Sequence, residues 1–216
     1  YDRFGVAMVA DQQATGANTP CWMVFDAVYR QKFTAGGIMP SAIMPDRSIP
    51  IDWWDHYVFK ADTVAELARK INLDPVKLES VTRRMTEYAA NGEDPEFGRG
   101  STIYDKTFGD PTCKPNPALG AIQKAPFYAI PIHLGDLGTK GGLKADHKAR
   151  VIDGNGAPIP GLYAAGNASG SPFGLNYPGA GGTIGPAMVF GYIAANDIAS
   201  RATNQDVGEV REPAKP

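Results

Sequence analysis

The residues best suited to chemistry lie in one stretch, Gly166 to Gly185, in which seven of twenty residues are glycine. A single tyrosine, Tyr177, stands in its middle, and a long apolar segment follows. Glycine lets a planar ligand approach the backbone closely, and free N–H groups at the first turn of a following helix form a positive patch. The stretch therefore favours a site for an anion or an electron-rich heteroatom. A tight turn in front of a core helix is the alternative that composition alone leaves open.

Other kinds of site lack their sequence signatures. Neither GxGxxG nor GxxxxGK[ST] occurs, so this chain contains no Rossmann first turn and no P-loop. No GxSxG supports Ser/His/Asp hydrolysis. The three histidines, His56, His133 and His147, are far apart in the sequence, so no metal site is expected. The pair Trp53–Trp54 favours a packed loop anchor over a platform for stacking bases.

The composition is typical of a globular protein with one or two domains. The 216 residues are 43% hydrophobic and 20% charged with a net charge of −2, which gives no reason to expect nucleic acid or an anionic membrane as partner. Two cysteines, Cys21 and Cys113, exclude a disulfide scaffold and favour a reducing, cytoplasmic setting. The longest uncharged run is broken by Gly and Pro, so no integral membrane segment is expected. The sequence does not begin with methionine and its first residues do not resemble a signal peptide, and we therefore expect it to be a fragment of a longer protein.

The first half of the chain predicts helices around a buried strand. A helix is expected over 3–14, a strand over Cys21–Val28, and an irregular loop packed by its own apolar side chains over 34–60. Two amphipathic helices follow, and the second has Asp74 as N-cap, Pro75 at its first position and Gly92 as its stop.

The second half predicts a different architecture. "PFYAIPIHL" is strand-like, and "RVIDGNGAPIPGLYAAGN" indicates a hairpin whose second strand, Leu162–Ala165, runs into glycine. The segment Thr183–Asn196 predicts a helix that is apolar on nearly all faces and hence buried. A domain boundary is expected near residue 138, and a frayed tail over 204–216.

Three blocks, "DLGTKGGL", "GLYAAGN" and "YPGAGGTIG", together resemble the C-terminal part of the flavoprotein family that contains fumarate reductases and 3-ketosteroid dehydrogenases. Within this family the similarity is greatest to the 3-ketosteroid Δ1-dehydrogenases. The segments "GEDPEFGRGSTIYD" and "YDRFG" also resemble that branch. The resemblance implies an α+β or α/β fold. It consists of the family's catalytic (cap) domain plus a C-terminal β-hairpin, strand and helix that complete a Rossmann-like FAD-binding domain.

The resemblance also implies how the chain is divided. Residues 1–138 would be most of the catalytic, substrate-binding domain, residues 139–203 the C-terminal part of the FAD-binding domain, and residues 204–216 a tail. The N-terminal half of the FAD-binding domain would lie outside this sequence, in the same protein or in a separate chain. We therefore expect the chain alone to hold FAD poorly.

The implied site combines catalytic, cofactor and substrate positions. The Tyr177 hydroxyl and the Gly181 N–H match the family's donors to the substrate carbonyl, and Tyr1 matches its proton-abstracting tyrosine. The positions expected to contact FAD are Gly141, Gly142, Gly166, Asn167, Gly182, Thr183 and Ile184. Phe173 and Pro178 are the expected substrate contacts.

The implied reaction is FAD-dependent 1,2-dehydrogenation of a 3-ketosteroid, with proton abstraction at C2 and hydride transfer from C1 to flavin. Fumarate reductases carry a histidine and an arginine where this chain has Gly138 and Tyr177, so a dicarboxylate loses its cationic donors. Gly179 stands where the Δ4-(5α) branch has a serine, which favours Δ1. Two alternatives stay open: a related flavin enzyme acting on another cyclic ketone or an enoate, and a non-catalytic subunit that binds a hydrophobic ligand or partner.

Overall fold

A computed structural model describes residues 4–135 and 138–208, with side chains up to residue 202. The helices are α1 (Phe4–Thr15), α2 (Ala27–Lys32), α3 (Val64–Lys70), α4 (Pro75–Asn91), α5 (Ile103–Thr107) and α6 (Ile184–Gly208). The strands are β1 (Cys21–Phe25), β2 (Phe59–Ala61), β3 (Phe127–Ile132), β4 (Arg150–Ile152) and β5 (Pro158–Tyr163). The chain divides into two compact units, Ala17–His133 and the remaining described residues. The roles predicted for residues 1–138 and 139–203 stay predictions.

The unit Ala17–His133 is built on an antiparallel sheet with the strand order β1-β3-β2. The central strand β3 is buried on both faces because its side chains alternate between two apolar clusters. Tyr128 and Ile130 enter one cluster, and Phe127 and Ala129 enter the other. The strand predicted from "PFYAIPIHL" is confirmed.

The first cluster is covered by the long loop before β2, as the sequence predicts. Ile38, Ile49 and Val58 are buried there, and both neighbouring tryptophans pack against them. The buried Arg30 side chain, 3% exposed, fixes the loop: it donates to the carbonyls of Met39 and Met44 and pairs with Asp46. The loop therefore keeps a defined shape, although its only regular structure among the described residues is two short 3₁₀ turns, Asp46–Ser48 and Ile51–Trp53.

The second cluster is covered by α3 and α4. The caps predicted for α4 are confirmed: the Asp74 side chain accepts from Val76 and Lys77 N–H, and Gly92 ends the helix with φ of +77°. The strand predicted over Cys21–Val28 is too long. It ends at Phe25 because the Asp26 carboxylate accepts from Val28 and Tyr29 N–H and starts α2.

The second unit contains the predicted hairpin, in which β4 and β5 pair antiparallel. The buried helix predicted over Thr183–Asn196 is wrong in its burial and length. Helix α6 continues to Gly208, and Ile184, Met188 and Tyr192 are each more than 60% exposed. Its other face carries Asp197, which is buried and accepts a hydrogen bond of 2.8 Å from the Tyr163 hydroxyl of β5. The predicted tail, 204–216, lies partly outside the described residues.

Candidate functional site

The two glycine-rich blocks singled out by the sequence lie side by side within the second unit. Three backbone hydrogen bonds join them: Leu143 N–H to Ala168 O at 2.9 Å, Gly170 N–H to Leu143 O at 2.9 Å, and Ser171 N–H to Lys140 O at 3.1 Å. A short 3₁₀ turn over Gly166–Ala168 supplies the second block. The pairing fixes the segment 140–143 against the loop that leads to Tyr177.

Three of the predicted cofactor glycines are needed for close packing of the protein itself. A β-carbon at Gly142 would lie 2.6 Å from the carbonyl carbon of Ser169, and one at Gly166 would lie 3.0 Å from the Ala187 β-carbon of α6. A β-carbon at Gly182 would lie 3.0 Å from the carbonyl oxygen of Gly179. These glycines bring the loops and the start of α6 together.

Two other glycines face open space. Apart from their own chain neighbours, no atom of the described residues lies within 4 Å of the position that a β-carbon would take at Gly141 or at Gly181. Gly181 has φ of +89°, a conformation that favours glycine. The open space leaves room for a ligand beside Gly141 and Gly181, although the φ of Gly181 by itself already favours glycine there. Chain packing explains the other three glycines.

The first turn of α6 offers the donors that the sequence predicts. Among residues 4–135 and 138–208, the N–H groups of Gly181, Thr183 and Ile184 have no hydrogen-bond acceptor, whereas Gly185 N–H donates to Gly181 O at 2.8 Å. Asn167 lies nearby, since a β-carbon at Gly138 would lie 3.0 Å from its Oδ1 atom and 3.3 Å from the Thr183 methyl. Unpaired N–H groups beside a side-chain amide suit the electron-rich edge of a heterocycle.

Tyr177 is half-buried, and a cation lies against its ring. The Lys140 ammonium is 5.1 Å from the ring centroid, within the range of a cation–π contact. Within the described part of the chain the Tyr177 hydroxyl has no hydrogen-bond partner, so it is available to a ligand. Lys140 was missed by sequence reasoning. Its position inside the "GTKGG" block was the only signal.

The other predicted site residues fall into two groups. Phe173 is 40% exposed and Pro178 half-buried, and both belong to the loop that carries Tyr177. Tyr1, the predicted proton acceptor, lies outside the described residues. The structure therefore brings the segment 140–143 together with the loop that carries Tyr177, and the position of the base stays a prediction.

Other kinds of site find no support among the described residues. No three His, Cys, Asp or Glu side chains of the described residues are grouped so that they could hold a metal ion. None of the described helices is long and apolar enough to span a membrane.

The family model for the FAD binding domain matches residues 1–184. The chain belongs to this FAD binding domain family. The cofactor predicted from the resemblance, FAD, agrees with the match, and the mixed α/β fold is that of an FAD-binding flavoprotein. Cofactor contacts by individual residues stay predictions.

The curated relatives confirm the predicted resemblance to 3-ketosteroid Δ1-dehydrogenases. A 3-oxosteroid 1-dehydrogenase of Mycolicibacterium smegmatis is 47% identical over 188 residues, which are 87% of this chain and 32% of that protein. A 4-oxocyclohexanecarboxylate 2-dehydrogenase of Sinomonas cyclohexanicum is 41% identical over 195 residues, 90% of this chain and 32% of that protein. The chain spans about a third of the length of these relatives.

A solved structure is similar over most of the chain. The crystal structure of a 3-ketosteroid Δ1-dehydrogenase from Sterolibacterium denitrificans, in complex with 1,4-androstadiene-3,17-dione, has a TM-score of 0.81 and 43% identity. The similarity covers 92% of this chain and 35% of that one.

Proposed function

We propose that this chain is part of an FAD-dependent dehydrogenase that introduces a 1,2-double bond into 3-ketosteroids. The observation that carries the proposal is the similarity, over nine-tenths of the chain, to a Δ1-dehydrogenase whose structure contains a 1,4-dien-3-one steroid. The unpaired donors at the start of α6 and the free hydroxyl of Tyr177 agree with it, because a ketone needs hydrogen-bond donors to become polarised.

The chemistry of this chain's residues would be polarisation of the carbonyl. The Tyr177 hydroxyl and the Gly181 N–H donate to the C3 oxygen, on which negative charge develops when a proton leaves C2. Tyr1 accepts that proton. FAD, when bound, supplies the acceptor for the hydride that leaves C1.

The residues expected to hold FAD surround the start of α6. The unpaired N–H groups of Thr183 and Ile184 would donate to its electron-rich edge, the Asn167 amide would donate or accept, and the open space beside Gly141 would leave room for the ring. The side chain at 167 is an amide, so it adds no charge to the site. Cys21 and Cys113 form no disulfide in the described part of the chain, which agrees with the cytoplasmic setting, still a prediction.

The decisive experiment is reduction of the flavin by substrate. In the FAD-loaded complex of this chain with a co-expressed FAD-binding segment, anaerobic addition of a 3-ketosteroid such as 4-androstene-3,17-dione should bleach the visible flavin band, and succinate should leave it unchanged. Tyr177→Phe should slow the bleaching by roughly 10²-fold or more, because it removes one oxyanion donor. Bleaching at the wild-type rate in this variant would remove Tyr177 from the mechanism.

A second candidate is a dehydrogenase of cyclic keto acids. The observation that favours it is the Lys140 ammonium beside Tyr177, a cation that a carboxylate could pair with. A relative at 41% identity is named for 4-oxocyclohexanecarboxylate. Bleaching by this keto acid but not by the steroid would select the second candidate over the first.

We further propose that the rest of an FAD-binding domain covers the exposed apolar face of α6. Without it, the chain offers only one part of the cofactor site. The chain alone should therefore retain much less than one FAD per molecule after gel filtration, and stoichiometric FAD on residues 1–216 would refute this.

A further inference from the structure

We propose that Lys140 is a positioning residue that holds the ring of Tyr177 and so aims its hydroxyl at the substrate carbonyl. The proposal rests on the function proposed above and adds a residue to it. It starts from one contact, the Lys140 ammonium at 5.1 Å from the centroid of the Tyr177 ring. A cation at this distance is attracted by the negative ring face, and the attraction grows when both groups are partly removed from water. Both residues are half-buried.

The backbone of Lys140 is fixed. Its carbonyl accepts from Ser171 N–H at 3.1 Å, and the next paired residue, Leu143, both donates to Ala168 O and accepts from Gly170 N–H at 2.9 Å. The ammonium therefore extends from a rigid segment toward the loop. Among the described residues it pairs with no carboxylate, so its charge is directed to the ring.

The loop that carries Tyr177 fixes the ring weakly by itself. Gly174 and Gly179 flank the tyrosine, and both have positive φ. The nearest backbone hydrogen bond is Asn176 N–H to Phe173 O at 3.3 Å. The hydroxyl has no partner among the described residues, so the ring plane is fixed by contacts on its face. An oxyanion donor works only if it already points at the oxygen before the reaction. Lys140 supplies that orientation.

A double-mutant cycle tests whether Lys140 acts through the Tyr177 hydroxyl. In the flavin-loaded protein, Lys140→Met should lower the rate of flavin bleaching by 4-androstene-3,17-dione by roughly 5- to 30-fold, the effect of losing a partly buried cation–π contact. In the Tyr177→Phe background the same change should cost less than about twofold, because there is no hydroxyl left to aim. Equal losses in both backgrounds would overturn the proposal, since Lys140 would then act on substrate or flavin directly.

Two variants give the matched controls. Lys140→Arg should recover most of the rate, because a guanidinium stacks on an aromatic ring and keeps the charge. Lys144→Met removes an exposed lysine near the same segment and should leave the rate unchanged. If Lys140→Met abolishes only the turnover of 4-oxocyclohexanecarboxylate and spares that of the steroid, Lys140 is a carboxylate ligand and the positioning role is refuted.

A measurement without turnover separates this proposal from the proposed function. In the chain labelled with ¹³C at the lysine ε-carbon, the Lys140 ε-CH₂ protons should be shifted upfield by the ring current of Tyr177. The shift should persist in Tyr177→Phe and disappear in Tyr177→Leu. An unshifted resonance in the folded wild-type chain would refute the contact, whereas a shifted resonance in a protein that no steroid reduces would refute the proposed function alone.

Discussion

The neighbouring glycines Gly141 and Gly142 are alike in the sequence and different in the structure. Gly142 lies against the backbone of Ser169, where a β-carbon would come within 2.6 Å of the carbonyl carbon. Gly141 faces open space. Glycine content alone does not distinguish the two positions, and only the three-dimensional contacts separate the glycine that the fold needs from the glycine that has room for a side chain or a ligand.

This difference predicts the outcome of two alanine substitutions. Gly142→Ala should lower the free energy of unfolding by roughly 1–3 kcal/mol, because a backbone carbonyl cannot move aside as a side-chain end can. Gly141→Ala should change it by less than about 0.5 kcal/mol. Urea unfolding followed by helical circular dichroism measures both. Amide exchange at Leu143 and Gly170 should accelerate only in Gly142→Ala, and equal protection in the two variants would contradict the close packing.

At the scale of elements, a carboxylate stabilises the turn that leads into the first strand of the hairpin, β4. Asp146 accepts the N–H groups of Lys148 and Arg150 and a hydrogen bond of 2.8 Å from the Arg150 guanidinium. These contacts, above all the hydrogen bond from Arg150, lower the pKa of Asp146 to about 2. The carboxylate form is therefore favoured by the folded chain.

The lowered pKa predicts a pH dependence of stability. Because the unfolded carboxyl titrates near 4 and so binds its proton first as the pH falls, the stabilisation by Asp146 is complete above about pH 4 and disappears as the pH falls through about 2. Asp146→Asn should be less stable than wild type at pH 7, and the difference should vanish near pH 2. Urea unfolding at both pH values measures it, and a difference that does not change with pH would contradict the role of the charge.

The elements that could be predicted from sequence are those with local signals. Asp74, Pro75 and Gly92 fix both ends of α4 by contacts within a few residues, and "PFYAIPIHL" contains the strand that both apolar clusters share. The end of β1 at Phe25 has a local cause, the Asp26 cap on Val28 and Tyr29 N–H, but the apolar run "CWMVFDAV" continues past it and hides it. The further bonds from Gln123 and Lys124 N–H to Asp26, nearly one hundred residues away, have no local signal. Contacts of that separation leave no periodicity in the sequence.

The candidate site shows the same limit. The donors of α6 and the loop of Tyr177 were recognised because they are contiguous in sequence. Lys140 was missed because its contact with Tyr177 joins two segments 37 positions apart. The distinction between Gly141 and Gly142 depends on the partner segment in the same way.

At the scale of the whole molecule, α6 has one face that is covered within the described residues and another, apolar face that is not. The covered face carries Asp197 and the contact of Ala187 with Gly166. The exposed face carries Ile184, Met188, Val189, Tyr192 and Ile198, each at least half exposed. The apolar sequence of the helix predicts that it is buried, but its periodicity does not identify the segment that covers it. A row of exposed apolar side chains of this size indicates a contact surface.

The proposal that the rest of an FAD-binding domain covers this exposed face can be tested by substitution at its centre. Met188→Glu places a charge in the middle of that face and should prevent assembly with a co-expressed FAD-binding segment, because burying an unpaired carboxylate is costly. Met188→Leu keeps the apolar contact and should assemble as wild type does. Co-purification of the two segments and the FAD retained per complex measure both outcomes. Because Met188 lies one turn beyond the N–H groups of Thr183 and Ile184, Met188→Glu should lose FAD together with assembly. An assembled complex that keeps its FAD in Met188→Glu would show that another surface makes the contact and that the cofactor site forms without this face.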